Sequence, residues 1–362
     1  MSILSKTFSS LLFLLFTFLF ATAQKTAIPF SFEFEDKTLH GLIETPENKT
    51  SKSVVLLIPG YGRTDFVEGN WFGNLRDELT AAGLTVVFWD KMGCGKSEGN
   101  FDAQQPVENS ADESVAAIEK LKTMKVAGAE TIGCWGLSRA GWIVPLINER
   151  YPIDFWISVS GTNDKENFGY LLKENLLIEG KSPAEAERLY QAWMEGHRLY
   201  STSPDYKAFL KAIKPLTQDP MSRRLFGYNK PPFTITKKAK EKYAAEQATF
   251  TTDGYFDESS GLWVYIEYFD QMLSKMNCPV LAIFGENDSQ VDWRQTKLLY
   301  EQTIGKNDAA DLTAKVFEQC NHILKKCITC GWKEDLSAFN WAACDGYYET
   351  MKMWLKEEGF VE

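Results

Sequence analysis

The chain is predicted to belong to the α/β class: a mostly parallel, doubly wound sheet with helices on both faces and a mainly helical insertion. Three observations carry this prediction. Short runs of consecutive apolar residues alternate with amphipathic segments, as strands buried on both faces alternate with covering helices. The alternation stops near Asn163 and resumes near Pro279. A serine with a small residue two places away on either side, Ser138 between Gly136 and Ala140, stands where one apolar run gives way to a helix.

In chain order, residues 30–34 and 40–45 read as two short strands, the second ending at Pro46. Residues 53–59 (SVVLLIP) form a continuous apolar run and the next strand. A helix over 74–82 is closed by Gly83, and residues 84–90 (LTVVFWD) form another buried strand. A helix over 111–124, a strand over 130–136, a helix over 140–150 and a strand over 153–160 follow. Right-handed crossovers between the parallel strands then set the winding. Residues 164–276 differ in character, with helices expected at 171–178, 183–199, 206–213 and 237–247, and they read as a cap inserted into one domain. The pattern returns with a strand at 279–284, a helix near 293–302, a strand at 312–317 and a last helix near 347–357. The domain formula is thus 24–163 and 277–362 for the core, with 164–276 as the cap.

Composition excludes several classes. With 44% hydrophobic and 24% charged residues the chain is globular rather than disordered. Its net charge of −10 disfavours nucleic acid and anionic membrane surfaces as partners. Lys6, the apolar run 11–20 and the small-x-small step Ala21-Thr22-Ala23 have the form of a cleavable export signal over residues 1–23. No second long apolar run is present, so no stable membrane span is expected after cleavage, and the mature protein is placed in the periplasm or secreted. Export makes disulfides admissible for Cys320, Cys327, Cys330 and Cys344. The C-x6-C-x2-C-x13-C spacing leaves disulfides, free thiols and a structural zinc site as alternatives. Cys134 falls in a buried strand and reads as a small core residue.

The chemistry is concentrated in three motifs. Gly136-Leu137-Ser138-Arg139-Ala140-Gly141 lies between a predicted strand and a predicted helix. A sharp strand-to-helix turn presents its central side chain at the sheet edge, and the helix N-terminus favours developing negative charge there. The usual fifth position is Gly; here it is Ala140. Pro59-Gly60-Tyr61-Gly62-Arg63 ends an earlier strand in a Gly-rich turn whose backbone can approach a substrate. The N–H groups of Tyr61 and Arg139 are the candidate oxyanion donors. Asp90-Lys91-Met92-Gly93-Cys94-Gly95-Lys96-Ser97-Glu98-Gly99 lacks phosphate-loop spacing and reads as a structural turn.

Together these motifs resemble the α/β-hydrolase superfamily, and more narrowly the bacterial cap-bearing esterases and serine aminopeptidase-like hydrolases. The resemblance runs from about Ser53 onward and is weak across the cap. Its third loop usually reads D-x-R-G-x-G-x-S; Met92 stands where Arg is common, so any salt bridge made by that Arg is absent. The resemblance implies the order nucleophile, acid, histidine. Asp288, in Gly285-Glu286-Asn287-Asp288, occupies the position of the acid, with Glu286 and Asp292 as rivals. Of the chain's three histidines, His322 follows the last core strand, whereas His40 lies in an early strand and His197 in the cap.

The expectation is a serine hydrolase acting on a small-molecule carboxylic ester through Ser138, His322 and Asp288, with no metal or cofactor. A peptidase or amidase with the same triad is the alternative. It would need an acidic subsite for a free amino terminus, and Glu174, Glu179 and Asp257 are the cap carboxylates weighed for it. A catalytically inactive binding protein on the same fold is the third reading. Trp193, Phe209, Trp263, Tyr265, Tyr268 and Phe269 either line a pocket or form cap core. Oligomeric state is left open.

Overall fold

The computed structural model describes residues 25–47, 50–102, 105–166, 168–250, 255–257, 262–264 and 266–362. The predicted export signal lies outside the described residues. Eight strands form one sheet: β1 (Lys25–Phe34), β2 (Lys37–Pro46), β3 (Val54–Ile58), β4 (Thr85–Trp89), β5 (Ile132–Leu137), β6 (Phe155–Val159), β9 (Val280–Gly285) and β10 (Leu312–Phe317). Their spatial order is β1-β2-β4-β3-β5-β6-β9-β10. From β4 to β10 every pairing is parallel, whereas β1 pairs with β2, and β2 with β4, in antiparallel register. This is the doubly wound sheet of the α/β-hydrolase fold, with an antiparallel hairpin at one edge.

The apolar runs alternate between two cores. Val54, Leu56 and Ile58 of β3 enter one core; Val55 and Leu57 enter the other. Strands β4 and β9 divide in the same way. On one face lie α2 (Val107–Met124), α3 (Ala140–Arg150) and α11 (Trp293–Gln302). On the other lie α1 (Gly73–Ala82) and α12 (Tyr347–Glu357), which bury Leu75, Leu79, Met351, Trp354 and Leu355. Helix α2 starts four residues before the expected Ala111: Pro106 at its N-cap has φ −51° and initiates the turn that buries Val107.

Between β6 and β9 lie α4 (Gly169–Ile178), α5 (Pro183–Thr202), α6 (Tyr206–Ala212), α7 (Lys214–Gln218), α8 (Pro220–Phe226) and α9 (Lys237–Phe250). A hairpin of β7 (Tyr255–Asp257) and β8 (Leu262–Val264) and the short α10 (Phe269–Leu273) follow. The helices bury their own cluster, including Leu176, Leu189, Phe209, Leu216 and Tyr243. A capping box at Ser182 and Glu185 starts α5, each side chain accepting the other's backbone N–H at 3.3 Å. Such a cap contributes about 1 kcal/mol. The returning chain packs elsewhere: Ile266, Phe269, Leu273 and Met276 join the core beneath α3. Tyr265 and the side chains of Asp257 and Trp263 lie outside the described residues. Among the described residues no helix is long and apolar enough to cross a membrane.

Candidate active site

Strand β5 runs along the middle of the sheet and ends at Leu137, so the next residue emerges at the sheet's edge. Ser138 has φ +57°, a region that non-glycine residues enter at a cost of roughly 1–3 kcal/mol. The turn is held on both sides. Ser138 donates its N–H to Val159 O at 2.9 Å, and its carbonyl accepts from Gly141 N at 2.7 Å. Helix α3 then begins with Arg139 at its N-cap. Ala140 substitutes for the usual glycine because its methyl group faces Gly136, where a Cβ would come within 2.9 Å of it. Gly141 has a separate job. A Cβ there would lie 2.6 Å from the backbone N of Thr162 and 3.0 Å from Gly161 Cα, so α3 approaches the segment after β6 only through a bare α-carbon. Gly141→Ala is therefore expected to destabilise the fold by about 1–3 kcal/mol, the usual range for overpacking against backbone that cannot yield. Urea denaturation of the two proteins measures this directly.

The Gly-rich turn after β3 abuts the serine. A Cβ on Gly60 would sit 3.1 Å from Ser138 Cβ. Tyr61 follows, with the guanidinium of Arg139 5.4 Å from the centre of its ring and the Phe168 ring edge-on at 5.2 Å. The turn is gripped by Lys91, whose ammonium donates to Gly60 O at 2.6 Å and Gly62 O at 3.1 Å. Burial and the nearby Arg139 cation pull the Lys91 pKa down to about 8, against the weaker opposing influence of Glu113 and Cys94. Arg139 itself donates to Ser110 Oγ at 3.1 Å and to the carbonyl of Gln105. The third motif is structural, as its sequence suggests. The buried Asp90 carboxylate accepts from the N–H groups of Phe66 (2.7 Å), Val67 (3.2 Å) and Lys96 (3.0 Å). Met92 packs into the apolar core instead of forming an ion pair.

Asp288 and His322 come from the loops after β9 and β10. His322 Nδ1 lies 2.8 Å from Asp288 Oδ2, and both side chains are almost completely buried. The other carboxylate oxygen accepts from Gln290 N (2.8 Å) and Val291 N (3.0 Å), so the acid is held in one orientation. The two alternative carboxylates make different contacts. Asp292 caps α11 through Arg294 N, and Glu286 accepts from Gln319 N. Helix α4 supports the acid loop: Tyr170 Oη donates to Asp288 O at 3.2 Å and Asn175 Nδ2 to Ser289 O at 2.9 Å. His197 is remote, stacked on Trp193 at 4.8 Å, and burial lowers its pKa to about 4.

Ser138 and His322 line one cavity of about 650 Å³. The aromatic side chains around it are Tyr61, Trp71, Phe72, Trp135, Trp341, Tyr347 and Tyr348. Of the cap aromatics singled out in the sequence, the described ones, Trp193, Phe209, Tyr268 and Phe269, are not among them: Phe209 belongs to the insertion's own core, and Phe269 to the core beneath the sheet. The signal that could have found the lining was positional. Trp71 follows the Gly-rich turn, and Trp341 lies inside the cysteine cluster. That cluster forms two disulfides, Cys320–Cys344 and Cys327–Cys330, while Cys94, Cys134 and Cys278 are free and buried. The Cys320–Cys344 loop carries His322 and, through Ile323, Leu324, Lys325, Trp341 and Ala343, one wall of the cavity. Among the described residues no group of His, Cys, Asp and Glu is arranged to hold a metal ion.

Sheet order, serine turn and buried His–Asp pair are those of an α/β-hydrolase. A family model for the X-Pro dipeptidyl-peptidases (S15 family) matches residues 37–323, and the chain belongs to that family of hydrolases. Solved structures agree on the fold. An esterase of Pyrococcus furiosus is 14% identical with a TM-score of 0.51, covering 92% of this chain and 91% of its own. A proline iminopeptidase of Mycobacterium smegmatis is 17% identical with a TM-score of 0.50, covering 91% of this chain and 98% of its own. No curated protein matches the chain.

Proposed function

We propose that this hydrolase cleaves carboxylic esters with Ser138 as nucleophile, His322 as base and Asp288 as acid. The observation that carries this reading is that His322, paired with the buried Asp288, lines the same cavity as a serine held at φ +57°. With Nδ1 engaged by Asp288, His322 has Nε2 left to take the Ser138 proton as Oγ attacks the acyl carbonyl. The tetrahedral oxyanion would accept from the N–H groups of Tyr61 and Arg139. His322 then protonates the leaving alcohol, and water, deprotonated by the same nitrogen, releases the acid and restores the serine. No metal or cofactor enters this cycle.

Ester is favoured over peptide by the cavity's charge. A free peptide amino terminus needs a carboxylate, and among the described residues no Asp or Glu lines the cavity; the side chain of Asp257 lies outside them. Glu179 is instead paired with Arg224 at 2.5 Å, while Glu174, half-buried beside Asp292, does not line the cavity. The sequence of residues 1–23 and the two disulfides support an exported, periplasmic or secreted enzyme. A fluorophosphonate probe tests the reading: it should label Ser138 in the folded protein and block hydrolysis of a short-chain 4-nitrophenyl ester. Absence of labelling would remove the serine hydrolase assignment, and faster turnover of aminoacyl amides than of esters would restore the peptidase reading.

The Lys91 grip adds a pH dependence. The ammonium is intact below about pH 8 and lost above it, so the turn bearing Tyr61 loosens as pH rises. The wild-type kcat should fall above that pH, and Lys91→Met should lower kcat on the order of tenfold and flatten the alkaline limb. This is less than the 10²–10³ typical of deleting an oxyanion donor outright, because the donor remains but is less well held. The full pH–rate profiles of both proteins supply the comparison.

A further inference from the structure

The wall of the catalytic cavity contributed by the Cys320–Cys344 loop contains one lysine. Lys325 lies three residues beyond His322 and lines the same cavity. Its backbone is fixed: the N–H donates to Asn321 Oδ1 at 3.0 Å, the carbonyl accepts from Asn321 N at 3.1 Å, and the residue bridges to Ala343. Its ammonium is not committed in the same way. Neighbouring Lys326 pairs with Asp345 at 2.6 Å, but among the described residues no carboxylate lies within ion-pair distance of Lys325. The remainder of the lining is aromatic, aliphatic and neutral polar, with His322 as its other basic side chain. A half-buried cation bordering apolar surface, with no carboxylate partner of its own among the described residues, can receive an anionic group of a ligand.

We propose that the substrate is an ester with a large apolar or aromatic portion that also carries a carboxylate, and that Lys325 receives that carboxylate. This deepens the ester hydrolase reading and rests on it. Partial burial pulls the Lys325 pKa down, and the attraction of an incoming carboxylate would offset that desolvation. The chain's net charge of −10 repels anions at long range. Binding one here therefore requires a local cation, and added salt should weaken the preference only modestly, since a partly enclosed pair is screened less than an exposed one.

The test uses the full chain and matched 4-nitrophenyl esters of equal length, one ending in a carboxylate on the acyl side and one in a methyl group. A second pair places carboxylate or methyl on the aryl leaving group. In at least one pair kcat/KM should favour the carboxylate by about tenfold, through KM, as expected for a charge-assisted contact. Lys325→Met should erase that preference while leaving turnover of the uncharged ester within a few-fold, and Lys325→Arg should restore part of it. Hydrolysis of uncharged esters without a carboxylate preference in either pair, or a preference unchanged in Lys325→Met, would overturn the proposal while leaving the ester hydrolase reading intact. If no ester is cleaved and Ser138 resists the fluorophosphonate, the underlying reading fails instead, and the proposal with it.

Discussion

Ser138→Ala is expected to reduce ester turnover by about 10⁶-fold while leaving the fold in place. Loss of a nucleophile from a coupled triad costs about that much in kcat, and the oxyanion donors and binding surface account for what remains. The structural change is the loss of one hydroxyl from a half-buried side chain. The backbone bonds that fix the turn, Ser138 N–H to Val159 O and Gly141 N–H to Ser138 O, do not involve it. Alanine at φ +57° carries the same backbone cost as serine, so thermal unfolding should shift by no more than a degree or two. An inactive protein with an unchanged melting temperature is the result that assigns the nucleophile. Residual activity within 10²-fold of wild type would mean that hydrolysis does not pass through Ser138.

The second large effect separates two nearby aspartates. Asp288→Asn should lower kcat on the order of 10⁴-fold. The carboxylate accepts from His322 Nδ1 with one oxygen and from two backbone N–H groups with the other. An amide cannot accept on both sides. Keeping its oxygen on Gln290 and Val291 turns its NH₂ toward His322, which must then present an unprotonated Nδ1 and carry its proton on Nε2. That tautomer cannot take a proton from serine. Asp292→Asn is the control, because asparagine caps a helix about as well as aspartate. Its kcat should stay within a few-fold of wild type and its stability within a few tenths of a kcal/mol. The reverse ranking in steady-state assays would reassign the acid.

The core was legible because its strands are buried on both faces. Runs such as Val54-Val55-Leu56-Leu57-Ile58 have no polar residue to place toward water, and only a sheet covered by helices on both sides accommodates them. Strands β1 and β2 alternate instead, and their antiparallel pairing was not visible because a hairpin turn at Glu35-Asp36, both at positive φ, sets it. The insertion was read as helical, but α7, α8 and the β7–β8 hairpin escaped because proline and glycine punctuate short elements. Within the site, Ser138 was local information: strand, turn and helix adjoin in sequence. The carboxylate beside His322 was less so, since Glu286, Asp288 and Asp292 fall within seven residues and only the three-dimensional path to His322 sets Asp288 apart. The cavity was not legible at all. Trp71, Trp135 and Trp341 meet there from three distant segments.

The two hydrogen bonds from α4 to the loop of Asp288, the proposed acid, set a limit on how this hydrolase can be diversified. An inserted segment is ordinarily the part of a hydrolase that can be exchanged wholesale, because the sheet folds without it. Here Tyr170 and Asn175 hold the carbonyls of Asp288 and Ser289, and Asn175 Oδ1 also accepts from Trp332 N at 2.6 Å. A chimaera carrying a relative's insertion would lose the clamp on the Asp288 loop unless the first helix supplied a hydroxyl and an amide at the same two positions, five residues apart. Recombination breakpoints in directed evolution should therefore fall after α4, with the first helix of the insertion retained alongside the sheet it serves.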